Sequence, residues 1–267
     1  TTIPNEMFRG CHILTMDKLP STLKTIGERA FYECYEVAFD LPKTLVSIGD
    51  QAFEKTNMNG KKTDLIIPEN VTYLGYGAFR ECDKYVSAEL PTNFYYLTGG
   101  NFLPNSIKTL RLKSPTVVST NNNSVVENKV RKNITIQVPS YLVNSYKLDE
   151  YWYNFASIEG FSTSDIDNWP IYGNLVLGAR DRFENTPSVT VYSKGSLKVN
   201  GTAAMPLNNL TVESDPDNKA YGRMFSNADD VTVAGALNTN FNIGRGKRWY
   251  FISLPYDLKV SDIVSLE

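Results

Sequence analysis

The stretch "IGERAFYEC", residues 26–34, returns along the chain: "IGDQAFEKT" at 48–56, "LGYGAFREC" at 74–82, and a degenerate "LTGGNFLPN" at 97–105. Aligned on the aromatic residue, Phe8, Phe31, Phe53, Phe79 and Phe102 lie 23, 22, 26 and 23 residues apart. A period of that length marks a solenoid, in which each unit stacks on the one before it. No single unit can bury its apolar face, but neighbours in tandem share a continuous core.

The unit reads L-x-x-I-G-x-x-A-F-x-x-C, followed by a short apolar stretch that ends in Leu-Pro or Ile-Pro. Leu23/Ile26, Leu45/Ile48, Val71/Leu74 and Phe94/Leu97 fill its first apolar pair, and Leu19-Pro20, Leu41-Pro42, Ile67-Pro68 and Leu90-Pro91 close the stretch before it. The alternation of Val37, Phe39 and Leu41 sends every second side chain inward, as a short strand requires, and proline ends it because it cannot donate to a ladder. Gly27, Gly49 and Gly75 stand where a sharp turn is expected before a one-turn helix or 3₁₀ segment. Ala-Phe then plugs the interior. Cys11, Cys34 and Cys82 are copies of one repeat position, replaced by Thr56 and Asn105 in the other units, while Thr98 replaces the glycine and "NMNGKKTD" enlarges one unit.

These residues resemble the BspA-type leucine-rich repeats found in surface proteins of Bacteroidetes and some other bacteria and protists. The resemblance covers about residues 3–161 and is specific, since five units agree in the order of several residue types. Within it, "ITIQVPSYLVNSYKLDEYWYNFASIEGF" resembles the segment that closes such arrays: a last strand, a short helix and an aromatic turn. On the residues alone, Ile134, Ile136 and Val138 alternate as a strand, proline ends it, and Ser140 can cap a helix presenting Leu142, Val143 and Tyr146. The polar run at 119–133 reads as a mobile loop.

From about residue 162 the repeat signature stops, and "STSDIDNWP" has the polarity of a linker. The runs "SVTVYS", "SLKVNG", "NLTVES" and "DVTVAG" then alternate as short strands bounded by turn residues. The expected fold is therefore mainly β with short helices: a leucine-rich repeat solenoid over 1–161, then an all-β region over 162–267. Rungs of a small parallel solenoid and strands of a sandwich both fit that region, and the likeness of the runs with their weak hairpin signals favours the solenoid. The final "GKRWYFISLPYDLKVSDI" resembles a segment that opens a further module in Bacteroidetes surface proteins, so the β-rich domain reads as truncated at its C-terminal end. A start at Thr1 without Met and an end in Ser-Leu-Glu read as an excised part of a longer protein.

Composition excludes several function classes. The chain has 267 residues, a formal net charge of −2 and no basic stripe, which does not suit a nucleic-acid binder. The longest apolar runs fall far short of the roughly 20 residues that cross a bilayer. Cys11 and the single His12 are adjacent, and neighbours on a strand point to opposite faces, so they do not form a nucleophile–base pair. Asp165/Asp167, Asp215/Asp217 and Asp229/Asp230 lack the spacing of a calcium loop and read as solvated turn residues. "GRGKR" at 244–248 lacks the phosphate-loop pattern. No catalytic residues, cofactor or metal are assigned.

What is left is a surface. Outward residues of stacked parallel strands form columns, and one is expected along Lys18, Asp40, Ile66, Glu89, Arg111 and Gln137, with Met16, Ala38, Asp64, Ser87, Thr109 and Thr135 beside it. Its mixed sign suits a protein or glycan ligand, with host and extracellular-matrix components as candidates, better than a polyanion. Tyr95 and Tyr96 are aromatic candidates for stacking on a sugar. The expectation is a non-catalytic interaction or adhesion protein, and the resemblance implies a cell-surface or extracellular location. The alternatives are a carbohydrate-binding module or a fragment of a polysaccharide-acting enzyme.

Overall fold

The computed structural model describes residues 1–14, 16–35, 37, 39–56, 63–94, 96–97, 99–120, 123–163, 168–171, 174–177, 188–192, 196–199, 205–215, 220–221, 223–225, 231–233 and 237–239. The chain divides into two compact units, Thr1–Asp165 and Ile166–Glu267.

In chain order the first unit carries β1 (Thr2–Ile3), β2 (Thr25–Ile26), β3 (Ser47–Ile48), β4 (Asp64–Ile66), β5 (Tyr73–Leu74), β6 (Ser87–Leu90), β7 (Thr109–Leu112), β8 (Thr135–Pro139), the short helix α1 (Val143–Leu148) and β9 (Ser157–Phe161). The strands pair in parallel in two sheets, β1-β2-β3-β5 and β4-β6-β7-β8-β9. The unit is a solenoid with two strand faces. Coils are numbered 1 to 5 after Phe8, Phe31, Phe53, Phe79 and Phe102.

The equivalent phenylalanines stack as the repeat requires. Ring centroids are 5.2 Å apart for Phe8–Phe31, 5.2 Å for Phe31–Phe53 and 5.1 Å for Phe53–Phe79, with interplanar angles of 18°, 2° and 11°. Phe102 instead meets Phe94 edge-on at 6.1 Å. Leu23, Ile26, Leu45, Ile48, Val71 and Leu74 are fully buried around this wall in one continuous core.

The segment between the two faces differs from the one-turn helix expected there. Left-handed φ values alternate along it, at Arg29 (51°) and Glu33 (58°), Gln51 (54°) and Lys55 (58°), and Gly77 (63°) and Glu81 (61°). Such residues cost about 1–2 kcal/mol each when they are not glycine. Their conformation aims the Arg29, Phe31 and Glu33 amides at the Asp50, Ala52 and Glu54 carbonyls of the next coil, 2.8–3.0 Å away, and the same ladder links coil 3 to coil 4. The intervening amides, Ala30, Tyr32 and Cys34, close short turns onto Gly27, Arg29 and Phe31. Every polar group of the turn thereby finds a partner, and the ladder offsets the strain.

The glycines have a different reason from the one the sequence suggests. Gly27, Gly49 and Gly75 are not left-handed; a Cβ on Gly49 would lie 2.7 Å from Glu28 N and 2.8 Å from the Gly27 carbonyl carbon. Close stacking of coil on coil demands them. In the degenerate coil that role falls to Gly99, whose Cβ would sit 2.5 Å from Leu74 O, while Thr98 lies outside the described residues.

The cysteine position is a hydrogen-bond position. Cys34 Sγ donates to Phe8 O at 2.9 Å, Cys82 Sγ to Phe53 O at 2.9 Å, and Thr56 Oγ1 to Phe31 O at 2.7 Å. Threonine substitutes for cysteine because any small buried donor serves. Burial, the largest cause, pushes the Cys34 thiol from its ordinary 9.0 up to about 11, and it pushes Cys82 further in the same direction. In the unfolded chain these thiols ionise from about pH 9, so the stability they confer is full below that pH and is lost as pH rises toward 11. Each thiol contributes a slope of about 1.4 kcal/mol per pH unit in that window. The urea midpoint of unfolding is expected to fall over it, and Cys34→Thr is expected to make the fall shallower.

Two segments depart from expectation. Val37 and Phe39 are buried but belong to no strand, while Glu36 and Ala38 lie outside the described residues; among the described residues, strands on this face begin at β4. The polar run at 119–133 is largely structured: Val125 and Val126 are fully buried, and Asn128–Asn133 is a 3₁₀ helix. The cap holds this run and the residue before it, with the Tyr151 hydroxyl accepting from Val125 N (2.9 Å), Trp152 Nε1 donating to Val118 O (2.9 Å) and the Tyr146 hydroxyl accepting from Val118 N (3.1 Å).

The second unit carries β10 (Asn168–Ile171), β11 (Asn174–Leu177), β12 (Ser188–Val191), β13 (Ser196–Val199), β14 (Met205–Leu207), β15 (Leu210–Val212), β16 (Ser214–Asp215), β17 (Ala220–Tyr221), β18 (Arg223–Phe225), β19 (Val231–Val233) and β20 (Leu237–Thr239). Three parallel sheets, β10-β12-β15-β20, β11-β13-β18 and β14-β19, accompany one antiparallel pair, β16-β17. Outside the β16-β17 pair, successive strands fall in different sheets and equivalent strands pair one coil later, which is the arrangement of a solenoid and not of a sandwich. Trp169, Ile171, Val189, Val191, Leu197, Leu207 and Leu210 fill its interior.

Candidate recognition surface

The sheet β4-β6-β7-β8-β9 is buried on one side by Leu65, Ala88, Leu90, Leu110, Leu112, Ile136 and Val138. Strand alternation then sends the residues between them outward. The register aligns Ile66, Glu89, Arg111, Gln137 and Glu159 in one column and Asp64, Ser87, Thr109, Thr135 and Ser157 in a second. Glu89, Arg111 and Gln137 are therefore neighbours on adjacent strands. Lys18 and Asp40 are exposed but lie outside any paired strand. Met16 is half-buried, and Ala38 falls outside the described residues.

The charges on this face are arranged in partnership. Glu89 lies between Arg111, 4.0 Å from its Nε, and Lys113, 2.9 Å from its Nζ. Lys113 also pairs with Glu69, whose second oxygen accepts from the Thr92 amide (3.0 Å) and hydroxyl (2.8 Å). Burial works against the Lys113 charge, but Glu69 and Glu89 outweigh it and raise its pKa. The Arg111 guanidinium lies 4.0 Å from the centre of the Phe161 ring, reaching past β8 to grip β9. Ser157 Oγ donates to Thr135 Oγ1 at 3.0 Å in the second column. Ile66, at 62% exposure, is the apolar member at the start of the first.

Sequence reasoning missed two parts of this surface. It took 157–161 as a turn, whereas β9 extends the sheet and adds Ser157 and Glu159. It also missed the β1-β2-β3-β5 face, where Thr2, Thr25, Ser47 and Tyr73 align outward. Tyr73 is 40% exposed, and its hydroxyl is 3.2 Å from Asp50 Oδ1. Tyr96 is 47% exposed and forms a lone parallel bridge to Ser119, whereas Tyr95 lies outside the described residues.

His12 stacks on Tyr35 at 4.8 Å, with Nδ1 3.0 Å from Glu33 O. Among the described residues no three His, Cys, Asp or Glu side chains converge as metal ligands, and no helix is long and apolar enough to cross a membrane. Asp215 is in β16; Asp165, Asp167, Asp217, Asp229, Asp230 and residues 244–248 lie outside the described residues.

Comparison with known proteins agrees with the coil geometry of the first unit. Residues 1–129 match the family described as BspA type leucine rich repeat region, in six copies. The sixth copy has no counterpart in the phenylalanine spacing, which counts five; the buried Val125 and Val126 stand where a further aromatic would. A leucine-rich repeat protein from Bacteroides ovatus, of known crystal structure, is similar at 17% identity and a TM-score of 0.31, over 91% of this chain and 70% of that one. No curated protein matches the chain. Residues 1–129, with their stacked phenylalanines, close-packed glycines and parallel strand faces, are a BspA-type leucine-rich repeat region.

Proposed function

We propose that this chain is a non-catalytic interaction module of a cell-surface or secreted protein, presenting the β4-β6-β7-β8-β9 face to a protein or glycan partner. The observation that supports it most is the register of that sheet, which sets Ile66, Glu89, Arg111, Gln137 and Glu159 in a line of alternating character across five strands. A row of spaced polar contacts around one apolar residue fits specific recognition by complementarity more than by net charge. Lys18 and Asp40 continue the proposed surface as exposed charges toward coils 1 and 2, while Tyr96, at the repeat position of Tyr73, is an aromatic candidate on the other strand face.

The test is to display the full chain against a glycan array and a panel of purified extracellular-matrix proteins, then to measure each hit with Ile66→Lys, Gln137→Lys and Tyr96→Ala. Loss of about tenfold or more in affinity, equivalent to about 1.4 kcal/mol, is expected for the two column variants at unchanged circular dichroism. A glycan hit is expected to weaken with Tyr96→Ala as well. Hits that bind both column variants as tightly as the parent would move recognition off this face.

A further inference from the structure

The three cysteines fall into one adjacent pair and one solitary residue. Cys11 and Cys34 hold the same position in coils 1 and 2, whereas Cys82 of coil 4 has Thr56 and Asn105 at that position on either side. The register of the pair is fixed by Phe8 N donating to Ala30 O (2.9 Å) and Gly10 N to Tyr32 O (2.8 Å). One atom gathers both residues: Phe8 O accepts from Cys11 N at 3.0 Å and from Cys34 Sγ at 2.9 Å. The Cys34 side chain is fully buried, and Cys11 packs on the same core while remaining half-exposed. Coils linked by backbone hydrogen bonds lie about 4.8 Å apart, inside the window of roughly 4.4–6.8 Å between Cα atoms that a disulfide spans.

We propose that Cys11 and Cys34 are a modification site, forming an intrachain disulfide that staples coil 1 to coil 2 when the chain meets a low-molecular-weight disulfide. The Cys11 thiolate attacks the small disulfide, bonding to one sulfur and expelling the other half as a thiolate. Cys34 then gives its proton to solvent and attacks Cys11 Sγ, expelling the second half. Two protein thiols are oxidised by two electrons, and one small disulfide is reduced to two thiols. Burial holds the Cys34 proton up to about pH 11, so the half-exposed Cys11 meets the oxidant and Cys34 closes the bridge.

The staple has something to hold. Phe8, Cys11, Leu14 and Met16 are only partly buried, and Met7 and Ile13 are 56% and 84% exposed, so coil 1 carries the thinnest core in the stack. Opening of such a coil does not require the rest of a solenoid to unfold. A bridge between residues 11 and 34 restricts that opening by closing a short loop.

The full chain is incubated with oxidised glutathione at mildly alkaline pH, quenched in acid, and examined by intact mass, unreduced peptide mapping and limited proteolysis. The expected result is loss of two hydrogens, a linked Cys11–Cys34 peptide pair, and cleavage within coil 1 slowed about tenfold or more. Cys11→Ser and Cys34→Thr, the latter copying Thr56, are each expected to abolish the link. A stable glutathione adduct on Cys11 beside a free Cys34, a link involving Cys82, or no oxidation of the parent chain would each overturn the proposal.

Discussion

Phe53→Ala is expected to lower the free energy of unfolding by about 3–5 kcal/mol, the range for emptying a fully buried aromatic site. Its ring has no solvent exposure and is stacked on both faces, by Phe31 at 5.2 Å and Phe79 at 5.1 Å, with Phe39 edge-on at 6.0 Å. Each such aromatic pair adds about 0.5–1.5 kcal/mol beyond the area it buries, so the central ring loses more than transfer alone. Phe8 supplies the comparison. It is half-buried and stacks on Phe31 alone, and Phe8→Ala is expected to lose about 2 kcal/mol. Urea unfolding followed by tryptophan fluorescence and by circular dichroism measures both. Because a solenoid's stability is carried by nearest-neighbour interfaces, a gap at coil 3 is also expected to broaden the transition as the coils on either side uncouple. Equal losses at Phe8 and Phe53 would mean that the rings do not form a shared wall.

Those phenylalanines also show why so much of the fold could be read from the sequence. A solenoid turns spacing in the chain into contact in space: residues one period apart become neighbours, and five phenylalanines at 22–26-residue intervals leave few other arrangements. Outward columns follow from the same logic, and Glu89, Arg111 and Gln137 do lie side by side. Where reading failed, the missing information was geometric. Nothing in "ERAFYE" announces that Arg29 and Glu33 take left-handed φ, because non-glycine residues enter that region only when inter-coil hydrogen bonds such as Arg29 N to Asp50 O make it worthwhile. The sixth coil was hidden for a related reason. Val125 and Val126 occupy its interior without the aromatic landmark, inside a run whose asparagines and serines suggested a loop. The strand β9 was obscured by the aromatic cap residues that precede it.

The surface was legible only as far as strand parity reaches. Parity says which side chains face out, and it placed Arg111 correctly without revealing that its guanidinium lies over Phe161, two strands away. Nor could it show that Lys113, one residue past the end of β7, bridges Glu69 and Glu89. Long side chains choose partners by reach and burial, and repeat position fixes neither. The degenerate first coils set the opposite limit: Lys18 and Asp40 fit the column by alignment, yet no ladder holds the backbone beside them.

Gly49→Ala separates two explanations of the recurring glycine that predict opposite signs. Gly49 does not have a left-handed φ, so alanine fits the local backbone, and the reduced freedom of the unfolded chain would by itself stabilise by about 0.4–1 kcal/mol. The new Cβ would, however, sit 2.7 Å from Glu28 N and 2.8 Å from the Gly27 carbonyl carbon, backbone atoms that cannot rotate aside. Coils 2 and 3 must then part, stretching Gly49 N to Ile26 O and Arg29 N to Asp50 O together with the ring stack they hold in place. Overpacking of this kind costs about 1–3 kcal/mol and here belongs at the upper end, so a net loss of about 2 kcal/mol is expected in urea unfolding. Adjacent glycines in the degenerate coil sharpen the test. Gly99→Ala meets Leu74 O at 2.5 Å and is expected to behave like Gly49→Ala, whereas at Gly100 the nearest atoms are Tyr76 Cδ2 at 3.6 Å and Asn123 Oδ1 at 3.7 Å, an ordinary contact. Gly100→Ala is therefore expected to be neutral or slightly stabilising. If alanine stabilises at all three positions, the coils have room between their backbones and the glycines mark turns, as the bare sequence had implied.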